Sequence, residues 1–302
     1  MNPYYKDYSE YLAELFPGEK VQKLSVNAGF SCPNRDGTIG RGGCIYCDNR
    51  SFTPRYCDPA DSVTRQLEKG KAFFSKKYPQ MKYLAYFQSF TGTHASAPEV
   101  LERMYEEALK DRDILGVIIG TRPDCLPEDV IDILKRLNEK ARVIVEIGAE
   151  TSFDSTLQLI NRCHTWRDVE ESVGTLADCG IETGIHLIAG LPGEDEEMIM
   201  TTLERVCSLP VSSVKMHQMQ VIRGTRMHQM IEKDELRLRE FTLEEYLDLC
   251  VKIIRLITEK RGRGLAIERF LASAPPEMVV SPRWGLKNYE FSNLLLRELG
   301  RS

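Results

Sequence analysis

Three cysteines stand close together near the start of the chain: Cys32, Cys44 and Cys47, separated by eleven residues and then two. Thiolates hold soft metals, so this group suits zinc or an iron–sulfur cluster. A structural zinc site takes four protein ligands. Here three are at hand unless Cys57 or a distant residue joins them. On a four-iron cluster, three thiolates leave one iron free to bind another molecule. Redox or resolving cysteines are a further reading of the same residues. Gly37, Gly40, Gly42 and Gly43 lie in the long gap. They let the backbone fold tightly and aim its N–H groups at sulfur. Tyr46 is placed to shield one face of a bound group from water.

The elements that must position this loop follow a repeating pattern. A short strand, Val21 to Ala28, precedes it. Downstream, strand-like runs cover Met81–Phe87, Leu115–Gly120, Arg142–Gly148, Glu182–Ile188 and Val211–Val221. Amphipathic helical stretches separate them: Asp61–Lys77, a helix opening at Ser96, Pro127–Lys140, Ser155–Ile160 with Arg167–Cys179, and Glu196–Cys207. Glu99 stands three residues after Ser96, a capping-box spacing, and Asp124 reads as a helix cap. Six strands with helical crossovers predict an α/β fold with a parallel sheet. Ligands of such sheets bind beyond the carboxyl ends of the strands. Every chemically interesting cluster here follows a strand, which favours an open (β/α)6 partial TIM barrel over a doubly wound sheet. Residues 1–20 form a small N-terminal extension, 21–225 the barrel, and 226–302 a helical C-terminal extension closing its edge. Tyr4, Tyr5, Tyr8 and Tyr11 predict packing across that open edge rather than an aromatic substrate platform.

The chain has 302 residues, 42% hydrophobic and 28% charged, an ordinary globular mix. No run approaches the roughly eighteen apolar residues of a membrane span. The first residues lack an apolar signal region, so a cytoplasmic location is expected. Nine cysteines in a reducing compartment are not a disulfide framework. The net charge of −5 argues against indiscriminate nucleic-acid binding but leaves room for a local patch. Lys69 with Lys71, Lys76 with Lys77, and Arg261 with Arg263 are the candidates, each equally readable as a solvated face.

The cysteine loop resembles that of the radical S-adenosylmethionine (SAM) superfamily, in the widely spaced form of its Elongator-catalytic-subunit-like branch and the YhcC/YtqA-like group. The best-known radical SAM spacing has a shorter first gap, with an aromatic before the last cysteine. Tyr46-Cys47 keeps that ending. Later segments carry the resemblance on through about residue 270: Gln88–His94, Thr121-Arg-Pro-Asp124, Glu146–Ser152 with Asn161–Thr165, His186–Gly193, and Lys215–Thr225.

The resemblance implies that Cys32, Cys44 and Cys47 hold a [4Fe–4S] cluster and that SAM chelates its fourth iron. Reductive cleavage of SAM then yields methionine and a 5′-deoxyadenosyl radical, which takes hydrogen from a substrate. It implies cofactor contacts at Tyr46, Gln88, Ser89, Thr91, Arg122, Glu150, Arg162 and His186, with Arg162 meeting the methionine carboxylate. His186, His217 and Gln218 fall at the catalytic, substrate-facing end. A reductant such as flavodoxin or ferredoxin is implied as a partner, and no membrane. Elongator-like relatives act on tRNA, which points to wobble-uridine modification. Small-molecule metabolism by the same radical is the competing enzyme reading. A metal-stabilised nucleic-acid-binding protein without turnover is the non-enzymatic one.

Overall fold

The computed structural model describes residues 2–75 and 80–301. Lys76 and Lys77, the last two residues expected in the first barrel helix, lie outside them. Six strands fall where period and β-branched content place them: β1 (Val21–Val26), β2 (Lys82–Phe87), β3 (Ile114–Thr121), β4 (Arg142–Glu150), β5 (Glu182–Ala189) and β6 (Ser213–Gln218). All pair in parallel, in chain order. Consecutive neighbours, each joined through a helix, make a curled half-barrel and exclude the doubly wound order.

Two short strands were not expected. The strand predicted to reach Val221 ends at Gln218, where the Met219 N–H turns to the Ala189 carbonyl at 2.8 Å. Its last residue, Val221, instead opens β7 (Val221–Ile222). β8 (Ala266–Ile267) adds a seventh parallel strand beside β6. β9 (Val279–Ser281) pairs antiparallel with β7 in a separate ribbon.

The helices among the described residues are α1 (Tyr8–Leu15), α2 (Pro33–Asp36), α3 (Val63–Ser75), α4 (Pro98–Leu109), α5 (Glu128–Lys140), α6 (Asp154–Leu159), α7 (Trp166–Asp178), α8 (Glu196–Cys207), α9 (Arg226–Glu232), α10 (Leu243–Arg261) and α11 (Asn288–Arg301), and α3, α4, α5, α7 and α8 cover the outer face of the sheet. Strand alternation sorts the core. Leu24, Val117, Val145 and Val214 point out into the main helix-covered core. Leu84, Ile118 and Ile144 point inward, where Tyr8, Tyr11 and Leu12 of α1 pack against them. The N-terminal tyrosines are therefore core, and α1 plugs the end of the half-barrel opposite the cysteine loop. Burying each such side chain contributes roughly 1.5–3 kcal/mol.

Two cap expectations fail. α4 begins at Pro98, and its N-cap, Ala97, has no side-chain acceptor. Pro98, already helical, forces extended backbone on the residue before it and displaces the Ser96 start. α5 is preceded by Pro127, while Asp124 forks onto Arg122 at 2.8 and 2.7 Å. The capping box of Thr242 and Glu245 at the start of α10 is present.

Candidate active site

The cysteine loop leaves the carboxyl end of β1. Cys32 occupies the N-cap position of α2, whose proline at the first turn suits a helix start. The long first gap is folded tightly against the segment after α6. Asn34 Nδ2 donates to the Asn161 carbonyl at 2.6 Å, and the Gly43 N–H donates to the Asn34 carbonyl at 2.8 Å. Arg35 donates to the Cys47 carbonyl at 2.6 Å. His94 reaches Asp36 at 2.8 Å and ties the loop to the chain after β2. Gly40 is required by close approach: a Cβ there would lie 2.3 Å from Asn34 Oδ1.

Cys32, Cys44 and Cys47 all border one cavity of about 850 Å³ at the carboxyl ends of the strands. Burial and then the neighbouring Cys44 push the Cys47 thiol up to about 11. The sulfurs also attract donors, with Asn34 Nδ2 at 3.8 Å and Arg162 NH1 at 3.6 Å from Cys44. Asn49 Nδ2 lies 3.9 Å from Cys47. Cys57 is buried, gives its S–H to the Ser25 carbonyl, and does not line the cavity.

Beside Cys44 lies an arginine pair. Arg162 is buried, donates to the Gly148 carbonyl and sits 3.2 Å from Glu150. Glu150 adopts φ +67° at a bulge where β4 meets β5, which turns its side chain toward Arg162. Gly148 leaves the space: a Cβ would stand 2.5 Å from Arg162 NH2. Cys163 takes the left-handed φ of +60° that a glycine adopts freely. Arg122 is buried too and donates to the Arg162 carbonyl at 2.8 Å. The Nε of Arg162 and NH1 of Arg122 have no hydrogen-bond partner.

The deep end of the cavity holds a polar group that sequence reasoning did not assemble. Glu146, 1% exposed, accepts from Tyr86 and His186, each at 2.6 Å, and from Lys215 at 3.0 Å. Its other oxygen meets Lys23. Glu268 bridges Lys23 at 2.6 Å and Lys215 at 3.1 Å. Burial disfavours the Glu146 charge, but Lys215 and Lys23 outweigh it and hold the carboxyl well below the usual range. Burial and Lys215 lower the pKa of His186, and burial and Arg269 lower that of His217. The legible signal was a charge at inward positions of buried strands: Lys23, Glu146 and Lys215.

The structure gathers Tyr46, Gln88, Thr91, Arg122, Glu150, Arg162, His186, His217 and Gln218 around the same cavity as the cysteines. Ser89 is the exception: it is buried outside the lining, with its hydroxyl 3.1 Å from Thr53 Oγ1. Gln88 is held by Ser25 Oγ and the Phe52 carbonyl, both at 2.9 Å. Gln218 accepts from the Ala272 N–H at 2.7 Å. Trp284 packs on Tyr246, and Arg283 donates to the Val279 carbonyl, away from the lining. Of the candidate basic patches, the two within the described residues are used internally. Lys69 pairs with Asp61, and Lys71 with Asp111 and Asp113. Arg261 binds three carbonyls at and just after the end of α8, and Arg263 pairs with Glu10. No helix among the described residues is long and apolar enough to cross a membrane.

Comparison with known proteins agrees with this architecture. The description "Radical SAM superfamily" matches residues 34–206, and "Radical_SAM C-terminal domain" matches 211–301. The protein YtqA of Bacillus subtilis is 36% identical over 295 residues, covering 98% of this chain and 89% of that one. A tRNA uridine(34) acetyltransferase of Methanocaldococcus jannaschii is 28% identical over 184 residues, which is 60% of this chain and 32% of that one. The solved structure of Elp3 from Methanocaldococcus infernus superimposes with a TM-score of 0.64 at 18% identity. It covers 94% of this chain and 63% of that one, a likeness of fold.

Proposed function

The chain belongs to the radical SAM superfamily and is an enzyme of it, and from that premise we propose that Cys32, Cys44 and Cys47 hold a [4Fe–4S] cluster and that Arg162, Arg122 and Glu150 seat SAM against it. The residues fit. Three thiols without a carboxylate or imidazole among them are iron–sulfur donor chemistry. Among the described residues no three ligating side chains converge on a single-ion site.

The observation that carries the reading is the pair of unpartnered guanidinium donors, buried beside Cys44 at the cavity wall. An unpaired buried donor is costly, and an amino-acid carboxylate satisfies it with charge-assisted bonds. Glu150, 3.2 Å from Arg162, fixes that fork and offers an acceptor to the methionine ammonium or the ribose. When bound, the cluster supplies the electron that splits SAM into methionine and a 5′-deoxyadenosyl radical. The protein orients SAM through the arginines and presents His186, His217 and Gln218 to the substrate side. A one-electron reductant completes the system.

For the substrate, the reading is a tRNA wobble uridine. It is supported by the 28% identity to a tRNA uridine(34) acetyltransferase and by a cavity that opens at the strand ends. Anaerobic reconstitution followed by reduction in the presence of SAM is expected to yield 5′-deoxyadenosine, read by chromatography. None forming from a fully loaded protein would overturn the cofactor reading. Nucleosides from cells with and without the gene test the substrate: unchanged tRNA beside one altered metabolite would move it to small-molecule metabolism.

A further inference from the structure

We propose that the deep end of the cavity is an oxyanion subsite, built by Arg269 with His217, that receives a phosphate or carboxylate group of the substrate. This rests on the reading of the cavity as the substrate chamber. Three cationic side chains face its deep end, Lys23, Lys215 and Arg269, with two carboxylates, Glu146 and Glu268. Both carboxylates are engaged by the same two lysines, as Lys23 and Lys215 each bridge Glu146 and Glu268. That quartet is neutral. Arg269 is left over and forms no salt bridge among the described residues.

Its hydrogen bonding is equally incomplete. NH2 lies 3.4 Å from His217 Nε2, and the buried Nε has no partner. The contact needs a neutral imidazole whose Nε2 accepts, leaving Nδ1 as the donor of that ring. The backbone fixes where the arginine starts, since its carbonyl accepts from the Met216 N–H at 3.0 Å across from β6. A guanidinium held in a half-enclosed cavity, with spare donors in a planar fork, is matched to a two-oxygen anion. An ammonium or neutral ligand would leave the surplus charge unanswered.

The test is calorimetric and does not depend on turnover. Reconstituted protein is first saturated with SAM, so that Arg122 and Arg162 are occupied. It is then titrated with inorganic phosphate and, separately, with succinate. Binding of either probe is expected, and the tighter one identifies the group carried by the substrate. Arg269→Gln is expected to weaken binding about tenfold or more, the loss of a charged hydrogen-bond donor, and Arg269→Lys to restore part of it. Circular dichroism confirms that each variant is folded. The proposal is overturned if neither anion binds the wild type, or if Arg269→Gln and wild type bind alike. Deoxyadenosine formation in the same preparation reports separately on the cofactor reading.

Discussion

Glu146→Gln tests the deep polar group most directly. Glu146 is 1% exposed, and Lys215, its partner at 3.0 Å, is 3% exposed. Removing one member of a buried ion pair costs about 3–5 kcal/mol because the remaining charge stays desolvated. Here Glu268 still contacts both lysines, and glutamine keeps the shape and one oxygen. The expected loss is therefore at the low end, about 3 kcal/mol. Lys215→Met alone unbalances the group in the opposite sense and is expected to cost a similar amount. The double variant leaves Lys23 facing Glu268, a neutral pair. Its cost is expected to fall short of the sum of the singles by about 1 kcal/mol or more, within the range for touching residues.

Urea unfolding at neutral pH, with unchanged denaturant slope, measures all three. The same variant carries a pH signature. The Glu146 carboxyl is held below its ordinary value of 4.5 in the folded protein. Below that value the unfolded chain takes up the proton first, so stability is present above it and falls with further acidification. Glu146→Gln removes that part of the acid slope. A loss under 1 kcal/mol, or strict additivity in the double variant, would refute the coupling.

Four further outcomes follow from the same geometry. Serine at Cys32, Cys44 or Cys47 is expected to abolish iron binding on anaerobic reconstitution, whereas Cys57→Ser keeps about four irons per chain by iron assay. Arg162→Lys is expected to weaken SAM binding about tenfold in equilibrium dialysis while iron content holds, since an ammonium cannot reproduce the fork. Gly40→Ala, whose Cβ would meet Asn34 Oδ1 at 2.3 Å, should misfold the loop and lower iron loading. Gly42→Ala meets nothing within 4 Å and pays only for its φ of +81°, about 1 kcal/mol of thermal stability with loading intact. His164 is held down to about 2 by burial and by Arg162, so it is neutral when folded and protonates near 6.5 when unfolded. Stability is expected to fall as pH drops below about 6.5, by up to about 1.4 kcal/mol per unit from this group, and His164→Asn should flatten that slope in acid unfolding curves.

The period-two and period-3.6 patterns carry local information, and what they carry was legible. The six main strands and the helices between them fall within a few residues of their expected bounds. The cysteine loop and Glu150 lie at strand ends, where side-chain type and position agree, and Arg162 joins them from the connection between α6 and α7. β8 was not legible because two residues make no period; its pairing comes from the sheet edge that β6 offers. Ser89 was misplaced because one residue of shift in a turn moves a side chain from the cavity to the wall. The left-handed backbones of Glu150 and Cys163 come from tertiary packing and leave no mark on residue type.

The deep ion group shows the same limit from the other side, and it bears on why the barrel is open yet firm. Lys23, Glu146 and Lys215 each announced a buried charge, but their partners lie far away in sequence: Lys23 and Glu146 are 123 residues apart, Lys23 and Glu268 245. β1 and β8 are the two edges of the sheet and share no ladder. Lys23 stands on one edge and Glu268 just past the other, joined at 2.6 Å. The Tyr8 ring of α1 lies 4.3 Å from the same ammonium, and Asp7 pairs with Ile267. An ion pair and a helix thus span a gap that a full barrel closes with backbone hydrogen bonds. Such a seam holds the edges without sealing the strand ends, where the cysteines, the arginines and the cavity mouth must stay accessible. Substitutions in the seam should therefore change stability first, and the cofactor site only through it.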